Sequence, residues 1–133
     1  MNFEWMLGLA CTRVAAHTEH SAVFEFEDVS LMVESLWRIS LGGRLALTAR
    51  DHGQLFGLQR PVNAHEKAME YLRGQRIRRV RVDEIRGDVT LWLSGRILLE
   101  VLTDSSGYEA WTLRGPHHHF VAASGGKVEN LTG

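Results

Sequence analysis

The sequence predicts an α+β domain that is mainly β: two pseudo-repeated antiparallel β-meanders packed as one sheet-rich domain, with one α-helix near residues 63–73. Three observations carry this. Apolar residues recur with period two, glycine turns punctuate them at strand spacing, and a faint repeat at a separation of 66 residues divides the chain. The 133 residues are one domain's worth of chain, with half-repeats over roughly 1–60 and 61–126 and a tail over 127–133.

The repeat is carried by Gly8 and Gly74, Arg13 and Arg79, Val14 and Val80, and Glu34 and Glu100, with a one-residue slip bringing Phe24 and Phe26 onto Leu91 and Leu93. Each half then reads as about five short strands, the helix opening the second half and "FEWMLG" standing as its shorter counterpart in the first. In "AVFEFE", Phe24 and Phe26 alternate with Glu25 and Glu27, which a half-buried strand requires. "LGGR" at 41–44 predicts a hairpin turn, because its glycines supply positive φ at little steric cost.

The helix is read from "NAHEKAMEYLRG". Asn63 and Glu66 have capping-box spacing, Ala68, Met69 and Leu72 form an apolar stripe, and Gly74 stands where a C-terminal cap belongs. In "RGQRIRRVRV", Arg79 and Arg81 share a face opposite Val80 and Val82, and Arg76 and Arg78 join them only if a bulge near Ile77 re-phases the strand. These arginines are expected to pair with acids such as Glu25 and Glu27 or to guard an edge. "RGD" and "SGR" bracket the next strand, where Val89, Leu91 and Leu93 alternate with Thr90 and Trp92; the helix is a candidate to cover Trp92.

"TDSSGYEAWTLRGP" follows. On the repeat alignment, Glu34 to Trp37 takes three steps and Glu100 to Trp111 eleven, so "TDSSGYE" is an insertion that the strands do not need, and surplus loops are where function concentrates. "VTLWLSGRILLEVLTDSSGYEAWTLRGP....VAASGG" resembles the second half of a family of small uncharacterised bacterial proteins, whose signature is a Gly turn between alternating strands, Tyr-Glu-Ala/Ser-Trp and a closing Gly-Gly. "AVFEFEDVSLMVES" is similar to that family's earlier hairpin. The resemblance implies a β-rich domain and brings no catalytic residues with it.

Chemistry-bearing clusters are few. "HHHF" at 117–120 follows Gly115-Pro116 as an exposed turn; only His117 and His119 could converge, so no structural metal is expected. Asp104, Ser105 and Ser106 with the histidines hold the residue types of a nucleophilic triad but lack a nucleophile elbow, and read as turn chemistry. Glu25 and Glu27 read as a solvated face. No catalytic residue and no cofactor is assigned. With a formal net charge of -1 and no aromatics among the arginines, neither nucleic acid nor membrane is the expected partner. The single cysteine, Cys11, fits a reducing compartment, and "LGLAC" lacks the basic start and long apolar run of an export signal, so the protein is expected in the cytoplasm.

The functional expectation is a non-catalytic protein-binding domain, by analogy of size and character an immunity-type inhibitor of a partner toxin, with self-association left open. Tyr108 and Trp111 would be the apolar anchors and Arg79, Arg81 and Asp104 the charged rim. The alternative is a small-molecule-binding protein or enzyme with a pocket beside the 103–109 loop.

Overall fold

A computed structural model describes residues 1–132. Eleven strands run in order: β1 (Cys11–Thr18), β2 (Ser21–Phe26), β3 (Val29–Val33), β4 (Leu36–Leu41), β5 (Arg44–Thr48), β6 (Ile77–Val82), β7 (Val89–Leu93), β8 (Ile97–Leu102), β9 (Trp111–Gly115), β10 (His118–Ala122) and β11 (Val128–Asn130). Helix α1 (Ala64–Leu72) precedes β6, and a 3₁₀ turn at Glu4–Met6 precedes β1. All strand pairs are antiparallel, in two sheets ordered β1-β2-β3-β9-β10-β11 and β5-β4-β8-β7-β6.

The repeat is present, but its halves are interleaved rather than packed as two separate meanders. Each sheet takes the first three strands of one half and the last two of the other, and β11 extends one of them. Where β1 and β6 begin, the halves meet in reciprocal backbone bonds. Gly8 N donates to Ile77 O at 2.8 Å and Gly74 N to Cys11 O at 2.8 Å, while Cys11 N donates to Gln75 O and Ile77 N to Leu9 O. Every member of one pair lies 66 residues from its counterpart in the other. Gly8 and Gly74 both have φ above +80°, which explains glycine at the two equivalent corners. Both strands then carry the same irregularity, one extra residue at Thr12 opposite β2 and one at Arg78 opposite β7. The strand is thus re-phased by a bulge next to Ile77, which leaves Arg78 and Arg79 both exposed.

Alternation decides the core. Phe24, Leu31, Ile39, Leu91 and Leu99 from the inward faces are almost wholly buried and belong to one hydrophobic cluster that joins both sheets. Each such side chain contributes about 1.5–3 kcal/mol by leaving water. Helix α1 packs on β1 and β5, burying Ala64, Ala68 and Leu72, while Phe3 and Trp5 of the N-terminal turn play the same part on β10, against Phe120 and His118.

Several expectations need correction. Val33 and Val101 pair with Trp37 and Trp111 in reversed roles, Val33 with Trp111 and Val101 with Trp37. The structural counterpart of Val33 is thus Val101, and Glu34 does not correspond to Glu100. Counted from these valines, the surplus segment before Trp111 is six residues. Glu27 does not share the β2 face with Glu25: it sits in the β2–β3 turn at φ 58°, and its Oε2 accepts from Ala10 N at 2.7 Å. Glu25 pairs with Arg13 and not with the β6 arginines. The helix does not cover Trp92, over which the Arg79 guanidinium lies at 4.6 Å instead. Part of the 127–133 tail is strand β11, and His118 opens β10 stacked on Trp5 at 3.7 Å.

Candidate functional site

The equivalent ends of the two half-repeats are finished differently. In the second half, Trp111 is 1% exposed and its Nε1 donates to Gly87 O at 2.6 Å. The turn after β10 closes over that corner: a Cβ on Gly126 would meet Arg86 O, and a Cβ on Gly87 would meet Gly126 O and Thr103 Oγ1. Backbone and the Thr103 side chain fill that corner, where the Thr103 hydroxyl is buried without a partner. At the first-half equivalent, Trp37 is also buried, but among the described residues its indole makes no such bond, and the chain after β5 turns outward. A cleft of about 560 Å³ occupies the corner.

Ser35, His52, His65, Glu34 and Asp104 line this cleft together with Trp37. Ser35 is 7% exposed and its hydroxyl has no partner; unpartnered buried hydroxyls are uncommon because desolvation is uncompensated. The β1–β2 turn contributes Glu19 and Ser21, and the start of α1 contributes Ala64 and His65.

The two imidazoles are fixed by backbone. Ala64 N, an amide with no acceptor inside its own helix, donates to His52 Nδ1 at 3.0 Å, which puts the proton of neutral His52 on Nε2. His65 Nε2 lies 3.1 Å from Ser21 O, and a carbonyl can only accept, so neutral His65 carries its proton on Nε2 and a lone pair on Nδ1. The rings are edge to face at 4.9 Å. Burial holds the His65 pKa below its ordinary value, against the Ser21 carbonyl, which raises it; the neighbouring His52 lowers it further. Asn63 caps the helix through Glu66 N at 3.1 Å, so the Asn63 half of the predicted capping interaction forms.

Two loops flank the cleft. On one side is residues 103–110, where Ser105 Oγ accepts from Gly107 N and Tyr108 N and so serves as a turn acceptor. Tyr108 is 80% exposed beside Asp104 and Glu109. On the other side, the chain leaving the cleft at His52 and Gln54 forms a loop that presents Leu55, Phe56 and Leu58 to solvent. That loop is ordered by Gly53 N to Val62 O, Val62 N to Gln54 O and Leu58 N to Leu55 O, at 2.7–2.8 Å. Phe56 is held at φ 47°, an uncommon and strained region for a residue with a side chain.

The five residues expected to bind are thus divided. Tyr108 and Asp104 lie beside the cleft, Asp104 also accepting from Leu36 N at 3.2 Å through Oδ2. Trp111 is a core residue and not an anchor, because its ring and N–H are both satisfied inside. Arg79 and Arg81 are exposed on β6, Arg79 over Trp92, and neither lines the cleft. Among the described residues, no three His, Cys, Asp or Glu side chains gather as a metal site would require. Sequence reasoning missed His52, His65 and the 55–58 loop; the run "QLFGLQ", apolar without strand or helix periodicity, was the available signal.

A family model matches residues 7–132, nearly the whole chain. The chain belongs to the family of unknown function DUF6188. The family's span takes in both interleaved halves, the cleft and both flanking loops. No curated protein and no solved structure matches the chain.

Proposed function

We propose that this DUF6188 protein is a non-catalytic protein-binding domain that works in the cytoplasm, an immunity-type inhibitor that covers the active surface of a partner toxin. The observation that carries the reading is the pair of apolar prongs, Leu55-Phe56-Leu58 and Tyr108, standing in water on either side of the cleft. The strained Phe56 backbone costs stability, and three large apolar side chains left in water on one hydrogen-bonded loop form a surface that gains by being covered. Ordered aromatics flanking a concavity are the arrangement in which interface energy concentrates. Arg79 and Arg81, on β6, would belong to this surface only at a distant rim. The single cysteine, which can form no disulfide within the chain, accords with a reducing compartment.

The test is affinity capture with the tagged protein, followed by measurement of Kd with the purified partner. Phe56→Ser and Tyr108→Ala are each expected to weaken that partner at least tenfold with an unchanged melting temperature. A partner bound equally by wild type and both variants would sink the reading.

The alternative, a small-molecule site beside the 103–109 loop, has one observation in its favour: Asp104 lines the 560 Å³ cleft. Tyr108 borders only a smaller depression of about 240 Å³, and Trp111 lines neither.

A further inference from the structure

We infer that the cleft between the two prongs is a receptor for a guanidinium group, an arginine side chain carried by the partner polypeptide. This rests on the protein-binding reading for the source of the group, and on the cleft itself for its chemistry.

Acceptors dominate the cleft. Glu19, Glu34 and Asp104 face Arg50 as the one permanently charged cation among the lining residues. Asp104 retains Oδ1 beyond the bond that Oδ2 makes to Leu36 N, and Glu34 makes no side-chain hydrogen bond or ion pair among the described residues. His65 offers the Nδ1 lone pair, because Ser21 O holds its proton on Nε2. Ser35 lies at the buried base of the cleft with its hydroxyl unpartnered. Against these stand His52 Nε2–H, the Trp37 indole N–H, the Gln54 amide and Arg50, so the excess over them is one of negative charge: three carboxylates to one guanidinium.

A group that satisfies such a set must be rich in donors, planar enough to enter between side chains, and positively charged. Guanidinium has five N–H donors in a rigid fork and no acceptor, whereas an ammonium offers three donors around a point charge. A carboxylate or phosphate would meet three like charges.

The other half differs in packing but not in its buried hydroxyl, since Thr103, the counterpart of Ser35, is unpartnered as well. At the equivalent corner, the carbonyl of Gly87 is occupied by the Trp111 N–H, and the Gly126 turn fills the space.

The experiment is a titration of the full chain with N-acetyl-arginine amide, followed by ¹H–¹⁵N NMR of the Ser35 amide, the Trp37 indole and the His65 ring. N-acetyl-citrulline amide, equal in shape and uncharged, and N-acetyl-glutamate amide are the controls. Saturable shifts at these three residues with the arginine probe alone, weakened at least fivefold by Glu34→Gln and by Asp104→Asn, are expected. Asp104→Asn keeps an acceptor for Leu36 N, so the loop stays in place. No shift, or equal shifts with citrulline, overturns the inference. If arginine binds as expected while Phe56→Ser leaves partner capture untouched, the cleft stands and the protein-binding reading falls. Loss of partner affinity in Phe56→Ser without any arginine binding leaves the protein-binding reading standing and overturns the guanidinium receptor.

Discussion

Trp111 donates its indole N–H to the carbonyl of Gly87 at 2.6 Å across a corner packed closely by the Gly126 backbone and the Thr103 side chain. The bond joins β9 of one sheet to the β6–β7 turn of the other and seals the second half-repeat. Among the described residues Trp37 makes no such bond, and the cleft lies at its corner.

Trp111→Phe should therefore cost about 2–4 kcal/mol, since it leaves both a cavity and an unsatisfied buried carbonyl. Urea denaturation reads this directly. A loss below about 1 kcal/mol would mean that the corner repacks freely.

Gly125 and Gly126 are adjacent, with φ of 83° and 86°, yet a Cβ on Gly125 meets nothing and one on Gly126 meets the Arg86 carbonyl. Gly125→Ala should cost about 1–2 kcal/mol from the left-handed backbone alone. Gly126→Ala should cost distinctly more, and equal melting temperatures for the two variants would contradict the sealed corner.

The lowered pKa of His65 makes stability depend on pH. The unfolded chain binds the proton more readily than the folded one, so this contribution is present above the ordinary histidine value of 6.5 and is lost as pH falls below it. Between pH 7.5 and pH 5, wild type should lose more unfolding free energy than His65→Asn. Parallel losses would remove His65 as the cause.

Burial pushes the Cys11 thiol up to about 11, and the side chain is almost wholly inside. At pH 8 an aromatic disulfide reagent should label it only at the rate of unfolding, and fully in denaturant. Rapid labelling of native protein would show that the start of β1 opens.

Much of the fold was legible because alternation at Phe24 and Phe26, or at Leu91 and Leu93, states which face is hidden. The repeat was legible through Gly8 and Gly74, whose backbone φ admits little else. Strand exchange was not, since local pattern specifies a strand's faces and leaves its neighbour unspecified: β3 could have paired with β4 as easily as with β9. Tyr108 and Trp111 read alike in the sequence as anchors, yet Tyr108 stands in water and Trp111, three positions on, belongs inside. The distinction depends on a carbonyl 24 residues away. His52 and His65 were invisible as a pair because a helix start and a loop bring them together, with no spacing that a motif would record.

The interleaving has a consequence for how the molecule could be taken apart. A polypeptide ending near residue 62 holds five strands that belong to two different sheets, and lacks β9 and β8, the second neighbours of β3 and β4. Neither fragment, 1–62 or 63–132, should acquire native circular dichroism by itself, but the two mixed should, as a complementing heterodimer. Cut in this way, the chain becomes a near-symmetric pair of subunits, and the cleft would be the one place where that symmetry had been broken.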